Sequence, residues 1–191
     1  EAIAPERLAD GDIVAVSHKI VSKAEGRVFD PEQVAPSAEA LVLSRCTGKP
    51  AEQMQVVLSE SRRILWARRR GGPVITQHRC GYVCANAGVD MSNADGRILA
   101  LPVDPDASAA ALRKELEQAC GVRLGVVICD THGRPFREGA CGIAVGASGV
   151  QSLHSYVGHP DRNGRPMETS VECLADEIAA AATLLMGQGD E

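Results

Sequence analysis

Apolar positions along the chain fall into short β-branched runs and into longer stretches spaced at about 3.6 residues, the signatures of strand and helix. The run Leu124-Gly-Val-Val-Ile-Cys129 is short and flanked by Gly121 and Gly133, so it reads as a buried strand. Asp12-Ile-Val-Ala-Val-Ser17 reads as another, with shorter strands over residues 73–76, 82–85 and 99–102. A helix is expected from Pro50, where proline suits a first turn. Its buried face would be Met54, Val57, Leu58, Ile64 and Leu65, and the run Arg68-Arg69-Arg70 would then end it, where cations suit the helix dipole. A second helix follows Asp104-Pro-Asp-Ala-Ser108, capped by Asp106 or Ser108 and reaching about Cys120 with Leu112 and Leu116 inward. The closing helix is expected to bury Val171, Leu174, Ile178, Ala181 and Leu185, with Thr169 or Ser170 as its cap. Residues 30–49, rich in Pro and Gly, read as loop with a short helix from Ser37 to Leu43.

The resulting order is mixed α/β of the α+β kind, sheets with packed helices, in one domain over residues 1–191. Residues 28–50 are the place where two lobes would part. Gly-x-Gly-x-x-Gly is absent, which excludes a Rossmann reading. Gly-x4-Gly-Lys-[Ser/Thr] is absent too, so the fold is not a P-loop. The glycine-spaced run over residues 142–149 either cradles phosphates or forms a small-residue strand that another backbone approaches closely. Residues 154–167, with His154, His159, Asp161 and Arg162, form a long polar loop of a kind that is often functional.

Composition narrows the chemistry. The chain has 191 residues, 45% of them hydrophobic but only 3% aromatic, so its core is aliphatic and base stacking is a poor way for it to bind nucleic acid. The net charge of -5 argues against a general nucleic-acid surface as well. No apolar run reaches membrane-spanning length, and no signal-peptide pattern opens the sequence. Seven cysteines, with no Cys-x-x-Cys pair, read as reduced thiols in a cytoplasmic protein. Cys80 and Cys84 near His78 fit no zinc spacing. Two polar loops follow apolar strands: residues 86–93, with Asp90, Ser92 and Asn93, and residues 130–137, with Asp130, Thr131, Arg134 and Arg137. A strand-end carboxylate can hold a hard divalent cation, and nearby arginines can clamp anionic oxygens. By themselves these loops are equally turns whose aspartates bond backbone amides. The basic stretch over residues 18–27 reads in isolation as a solvated turn, with Lys23 beside Ser22 able to meet a phosphate.

Three stretches in order carry a resemblance: Ser22-Lys-Ala-Glu-Gly-Arg27, Cys84-Ala-Asn-Ala-Gly-Val-Asp-Met-Ser-Asn93 and Asp130-Thr-His-Gly-Arg-Pro-Phe-Arg137. The small-residue run over residues 143–149 and the helix from Val171 follow in the expected order. Together they resemble the coenzyme F420-0:L-glutamate ligases over nearly the whole chain. The resemblance implies a GTP-dependent ligase that joins L-glutamate to the terminal carboxylate of the deazaflavin F420-0 through an acyl phosphate, then extends the tail through γ-linkages. It implies Mg2+ or Mn2+, a monovalent cation in addition, no nucleic-acid or membrane partner, and an intertwined homodimer. Asp90, Asp130 and Thr131 match metal contacts, and Ser17, His18, Lys23 and Asn93 match nucleotide contacts. Arg134 and Arg137 are a physical inference, as clamps on phosphate or tail carboxylates, and with Asp90 and Asp130 complete the expected catalytic set. Gln188 stands where some members place a metal-binding Glu; an amide is a weaker ligand for a hard cation, and Asp190 or Glu191 can substitute. The family's N-terminal segment and a segment after the last helix are expected to be missing. Two rivals remain: a nucleotide- or deazaflavin-binding protein that has lost catalysis, and a ligase for a different carboxylate acceptor.

Overall fold

The computed structural model describes residues 8–69 and 71–189. In chain order its elements are β1 (Ile13–Ser17), α1 (His18–Ala24), β2 (Val28–Phe29), α2 (Ala38–Thr47), α3 (Ala51–Ser59), β3 (Ser61–Ala67), β4 (Val74–His78), β5 (Val83–Ala85), β6 (Ile98–Leu99), α4 (Pro105–Cys120), β7 (Gly125–Gly133), β8 (Ala140–Ser148), β9 (His154–Ser155), β10 (Val171–Glu172) and α5 (Leu174–Met186). The architecture is mixed α/β, as expected, and it forms two compact units, each assembled from non-contiguous segments. No helix among the described residues is long and apolar enough to cross a membrane.

The first unit holds β1, α4, most of β7, β8 and everything C-terminal to it. Its sheet has the order β1-β7-β8. β1 and β7 run parallel from Ile13 opposite Gly125 to Ser17 opposite Cys129. Val126, Val127 and Ile128 are fully buried, which is why this strand reads as an unbroken apolar run. β8 is the small-residue strand. A Cβ on Gly142 would strike the Ala179 carbonyl of α5, and one on Gly146 would strike the Pro105 carbonyl of α4. Asp106 Oδ1 accepts the Ala147 amide at 2.9 Å and Asp176 Oδ1 accepts the Ala144 amide at 2.8 Å, so each helix supplies a carboxylate to the strand beside it.

This close approach corrects two expectations. Asp106 lies inside the first turn of α4, which starts at Pro105, and bonds the strand instead of capping the helix. α5 faces its sheet through Ala175 and Ala179, while Leu184 and Leu185 are 86% and 90% exposed. Val171 is not helical either: it pairs with Ser155 across β10 and β9, so neither Thr169 nor Ser170 is the cap, which is Cys173. The polar loop of residues 154–167 is a hairpin arm whose tip is closed by Asp161 Oδ1, accepting the amides of Asn163 and Arg165.

The second unit holds α1 through β6 and the turn over residues 132–140. Its core is Met54, Val56, Val57, Val74, Val89 and Ile98 with three alanines, and Phe29, Val34 and Leu43 pack on it. Residues 28–50 are therefore part of this unit's packing and not a parting between lobes. The basic stretch after β1 is α1 and not a turn. The longest correction concerns the helix from Pro50. It stops at Ser59, and Ser61–Ala67 is a strand antiparallel to β4. Ser59 Oγ and Ser61 Oγ donate to the carbonyls of Val56 (2.8 Å) and Val57 (2.5 Å), closing the last turn. Side-chain hydroxyls that compete for helix carbonyls, together with β4 as a distant pairing partner, override the helical spacing of Ile64 and Leu65. The arginine run thus follows a strand and the helix-dipole reading falls; Arg70 lies outside the described residues.

Candidate functional site

The expected site residues are divided between the two compact units, and each set is described by itself. In the second unit, β6 and the segment before it form an antiparallel bridge: the Asp90 amide donates to Leu99 O at 3.0 Å and the Leu99 amide to Asp90 O at 2.8 Å. Leu99 is fully buried, so the backbone of Asp90 is anchored on the core. Asp90 Oδ1 accepts the amides of Met91 (2.7 Å) and Ser92 (2.9 Å), the turn geometry that Asp-x-Ser sequences favour. Oδ2 points the other way and accepts the Ser92 hydroxyl at 2.6 Å. The Lys19 ammonium, from α1, sits 2.7 Å from the same oxygen. Burial pushes the Asp90 carboxyl up, but the donors from Lys19 and Ser92 outweigh it and hold it at about 2.

Lys19 Nζ also lies 2.5 Å from Ser92 Oγ and 3.2 Å from Ser92 O. Three oxygens of different chemistry, a carboxylate, a hydroxyl and a carbonyl, thus surround one cation. That is the donor set a hard metal ion takes. The ammonium is a stand-in cation here, so the residues fit the divalent metal that the sequence implies. Sequence reading missed Lys19. The available signal was its spacing: four residues before Lys23 on a helix puts both cations on one face.

The other expected residues of this unit are more open. Lys23 is exposed in the last turn of α1. Asn93 is exposed and has a φ of +52°, a left-handed conformation that asparagine tolerates. The His18 imidazole is buried, with Nδ1 3.3 Å from Ser22 Oγ, so it packs on the inward face of α1, the helix that also carries the two lysines. Arg134 and Arg137 are exposed; Arg134 donates to Glu138 O at 3.1 Å and closes its own turn.

In the first unit, the parallel register places Ser17 at the end of β1 opposite Cys129, one residue before Asp130. The Thr131 amide donates to Asp130 Oδ1 at 2.7 Å. Gln188 Nε2 donates to Thr131 Oγ1 at 3.0 Å, which brings the amide to the hydroxyl expected of the metal set. Asp190 and Glu191 lie outside the described residues. Among the described residues no group of three His, Cys, Asp or Glu side chains clusters as a metal site, and none of the seven cysteines is in a disulfide.

A second carboxylate cluster of the same unit as Asp90 was not anticipated. Glu60, only 5% exposed, closes α3. Arg27 Nη2 donates to its Oε1 at 2.6 Å, and Arg79 Nε lies 2.9 Å from its Oε2. His78, fully buried and stacked on Tyr82, accepts the Cys80 amide at Nδ1. Its neutral ring therefore carries the proton on Nε2, 3.9 Å from Glu60 Oε2. Burial pushes the imidazole down to about 4; Glu60 opposes the shift, while Arg79, Arg27 and His132 add to it.

Comparison with known proteins gives a consistent result. The model of the F420-0:gamma-glutamyl ligase family matches residues 2–191. A coenzyme F420:L-glutamate ligase of Methanothermobacter thermautotrophicus is 46% identical over 97% of this chain and 73% of its own length. The proteins of the same name from Methanocaldococcus jannaschii and Methanopyrus kandleri are 44% and 47% identical, over 100% and 96% of this chain and 76% and 73% of theirs.

Proposed function

From the premise that this chain belongs to the F420-0:gamma-glutamyl ligase family, we propose that it joins L-glutamate to the terminal carboxylate of F420-0 at the expense of GTP and then extends the tail by γ-linked residues. The near-full-length match at 46% identity carries this reading. In chemical terms, an acceptor carboxylate takes the γ-phosphoryl group, GDP leaves, and the glutamate amine displaces phosphate from the acyl phosphate.

Phosphoryl transfer needs positioning and charge neutralisation more than a protein nucleophile. Asp90, Asp130 and Thr131 are the residues that would hold Mg2+ or Mn2+, with Gln188 as a weaker neighbour, and the metal's contribution is to neutralise phosphoryl oxygens. The Asp90 carboxylate, held well below the usual carboxylate range on a core-anchored backbone, supports this assignment, since a hard cation is held by the ionised form. Lys23 is assigned to the nucleotide phosphates, Ser17, His18 and Asn93 to the rest of GTP, and Arg134 and Arg137 to anionic oxygens of phosphate or acceptor tail. The active form is proposed to be a homodimer.

Mass spectrometry of a reaction holding protein, GTP, Mg2+ or Mn2+, L-glutamate and F420-0 tests the proposal. The expected product is heavier by one glutamyl residue and absent without GTP or metal. Asp130→Asn is expected to abolish turnover with the fold intact; full activity in that variant removes Asp130 from the mechanism. GTP binding without product supports a binding protein instead, and product with another carboxylate alone supports a different acceptor.

A further inference from the structure

We propose that Lys19 is a built-in counter-cation of Asp90, a positioning residue whose ammonium sits on the carboxylate oxygen that a divalent ion would take and is displaced when that ion binds. The inference rests on the reading of Asp90 as a metal ligand and goes beyond it by naming what the metal must replace.

The geometry divides the labour between the two carboxylate oxygens. Oδ1 is spent on the amides of Met91 and Ser92, and the bridge to Leu99 fixes the backbone, so the loop keeps its shape whatever happens at Oδ2. Oδ2, Ser92 Oγ and Ser92 O all face Lys19 Nζ, at 2.7, 2.5 and 3.2 Å. The three oxygens thus belong to a fixed loop, while the cation rides on a flexible four-carbon stem. An ammonium 2.7 Å from Oδ2 and a metal ion on that same oxygen would repel each other at close range, so the two are mutually exclusive. The pair is partly open to solvent, with side-chain exposures of 22% for Lys19 and 41% for Asp90, so exchange needs no opening of the core.

Two consequences follow. Before metal arrives, the ammonium neutralises Asp90 and fills the place between the three oxygens. When metal arrives, the ammonium is released on the same helix face as Lys23, where an anionic substrate oxygen is its natural next partner. Metal affinity in the absence of nucleotide is thereby lowered by the work of displacing a resident cation.

The test is Mn2+ binding to the whole protein without nucleotide, read from the electron paramagnetic resonance signal of the unbound ion. Lys19→Met removes the charge and keeps the length; it is expected to bind Mn2+ roughly fivefold more tightly than the wild type, the scale of a partly exposed ion pair. Lys19→Arg restores a cation and is expected to stay within about twofold of the wild type. Should Lys19→Met not fold, as judged by circular dichroism, Lys19→Gln takes its place. Equal or weaker Mn2+ binding by the neutral variants overturns the inference while leaving Asp90 a ligand. Asp90→Asn is the control: if it leaves Mn2+ binding unchanged, the metal reading of Asp90 itself falls.

Discussion

Two carboxylates of the same compact unit, Glu60 and Asp90, each hold cations, and they do so for opposite ends. Glu60 is buried between two guanidiniums, with a fully buried histidine beyond it. Asp90 is half exposed and faces one ammonium on a flexible stem. Charges taken out of water are held only while all their partners stay, so the Glu60 cluster behaves as an all-or-none structural unit. A half-exposed pair is loosely coupled and solvent can replace either partner, so the Asp90 cluster is suited to exchange. Permanence belongs to the scaffold and exchangeability to the site.

The sharpest way to break this contrast is to neutralise Glu60. Glu60→Gln keeps the shape but leaves Arg27 and Arg79 without their shared counter-charge. The expected loss is about 3–5 kcal/mol of unfolding free energy by urea titration. Lys19→Met, in the same experiment, is expected to lose less than about 1 kcal/mol. Comparable losses in the two variants would erase the distinction.

A second prediction uses pH. The unfolded chain's histidine at position 78 titrates near 6.5 and the folded one at about 4. Between those values the unfolded state binds more protons, so stability is greatest above pH 6.5, falls as pH is lowered toward 4 and levels off below it. The fall is at most about 3 kcal/mol from this group. Asp90, held at about 2 against an ordinary 3.8, contributes stability that is present above pH 3.8 and lost only as pH drops through 2. The window from 6.5 to 4 therefore reports on His78 and not on Asp90. A urea midpoint that does not move between pH 7 and pH 4.5 removes His78 from this account.

The same contrast explains what the sequence could and could not reveal. The stretches that carry Asp90 and Asp130 stand out because each follows an apolar run and is rich in polar turn residues, a local pattern, although Asp130 itself lies inside β7 and not in a loop after it. Their assignment to a metal comes from the resemblance and not from that pattern. β7 was legible over Gly125–Cys129, which is buried on both faces and apolar, and not over its polar continuation from Asp130 to Gly133. Glu60 was invisible for a non-local reason: Arg27 is 33 residues away along the chain, and nothing near Glu60 announces burial. The helix-to-strand change at Glu60 failed for the same cause, since Ile64 and Leu65 keep a helical spacing and only the pairing with β4 decides against it. Leu185 of α5 was misplaced because alanine-to-glycine packing leaves no trace in an apolar period. Lys19 lay in plain view in a basic stretch, but its partner Ser92 is 73 residues on.

The smallest expected effect compares two lysines on one helix face. Lys23 is exposed at the last turn of α1, where a cation already suits the helix dipole, whereas Lys19, four residues earlier, is bonded to Asp90 and Ser92. If Lys23 serves phosphate, Lys23→Ala raises the Michaelis constant for GTP roughly fivefold, the worth of one exposed charge contact, and changes turnover little. Its stability should stay within about 0.5 kcal/mol of the wild type, as for surface substitutions that break no contact. Its Mn2+ affinity without nucleotide should not move, because Lys23 makes no contact with the Asp90 cage. Lys19→Met is expected to do the reverse, moving Mn2+ affinity. An unchanged Michaelis constant for GTP in Lys23→Ala returns that lysine to the dipole of its own helix. Tighter Mn2+ binding in the same variant would mean that the electrostatics of the helix as a whole, and not the ammonium in the oxygen cage, sets the metal's affinity.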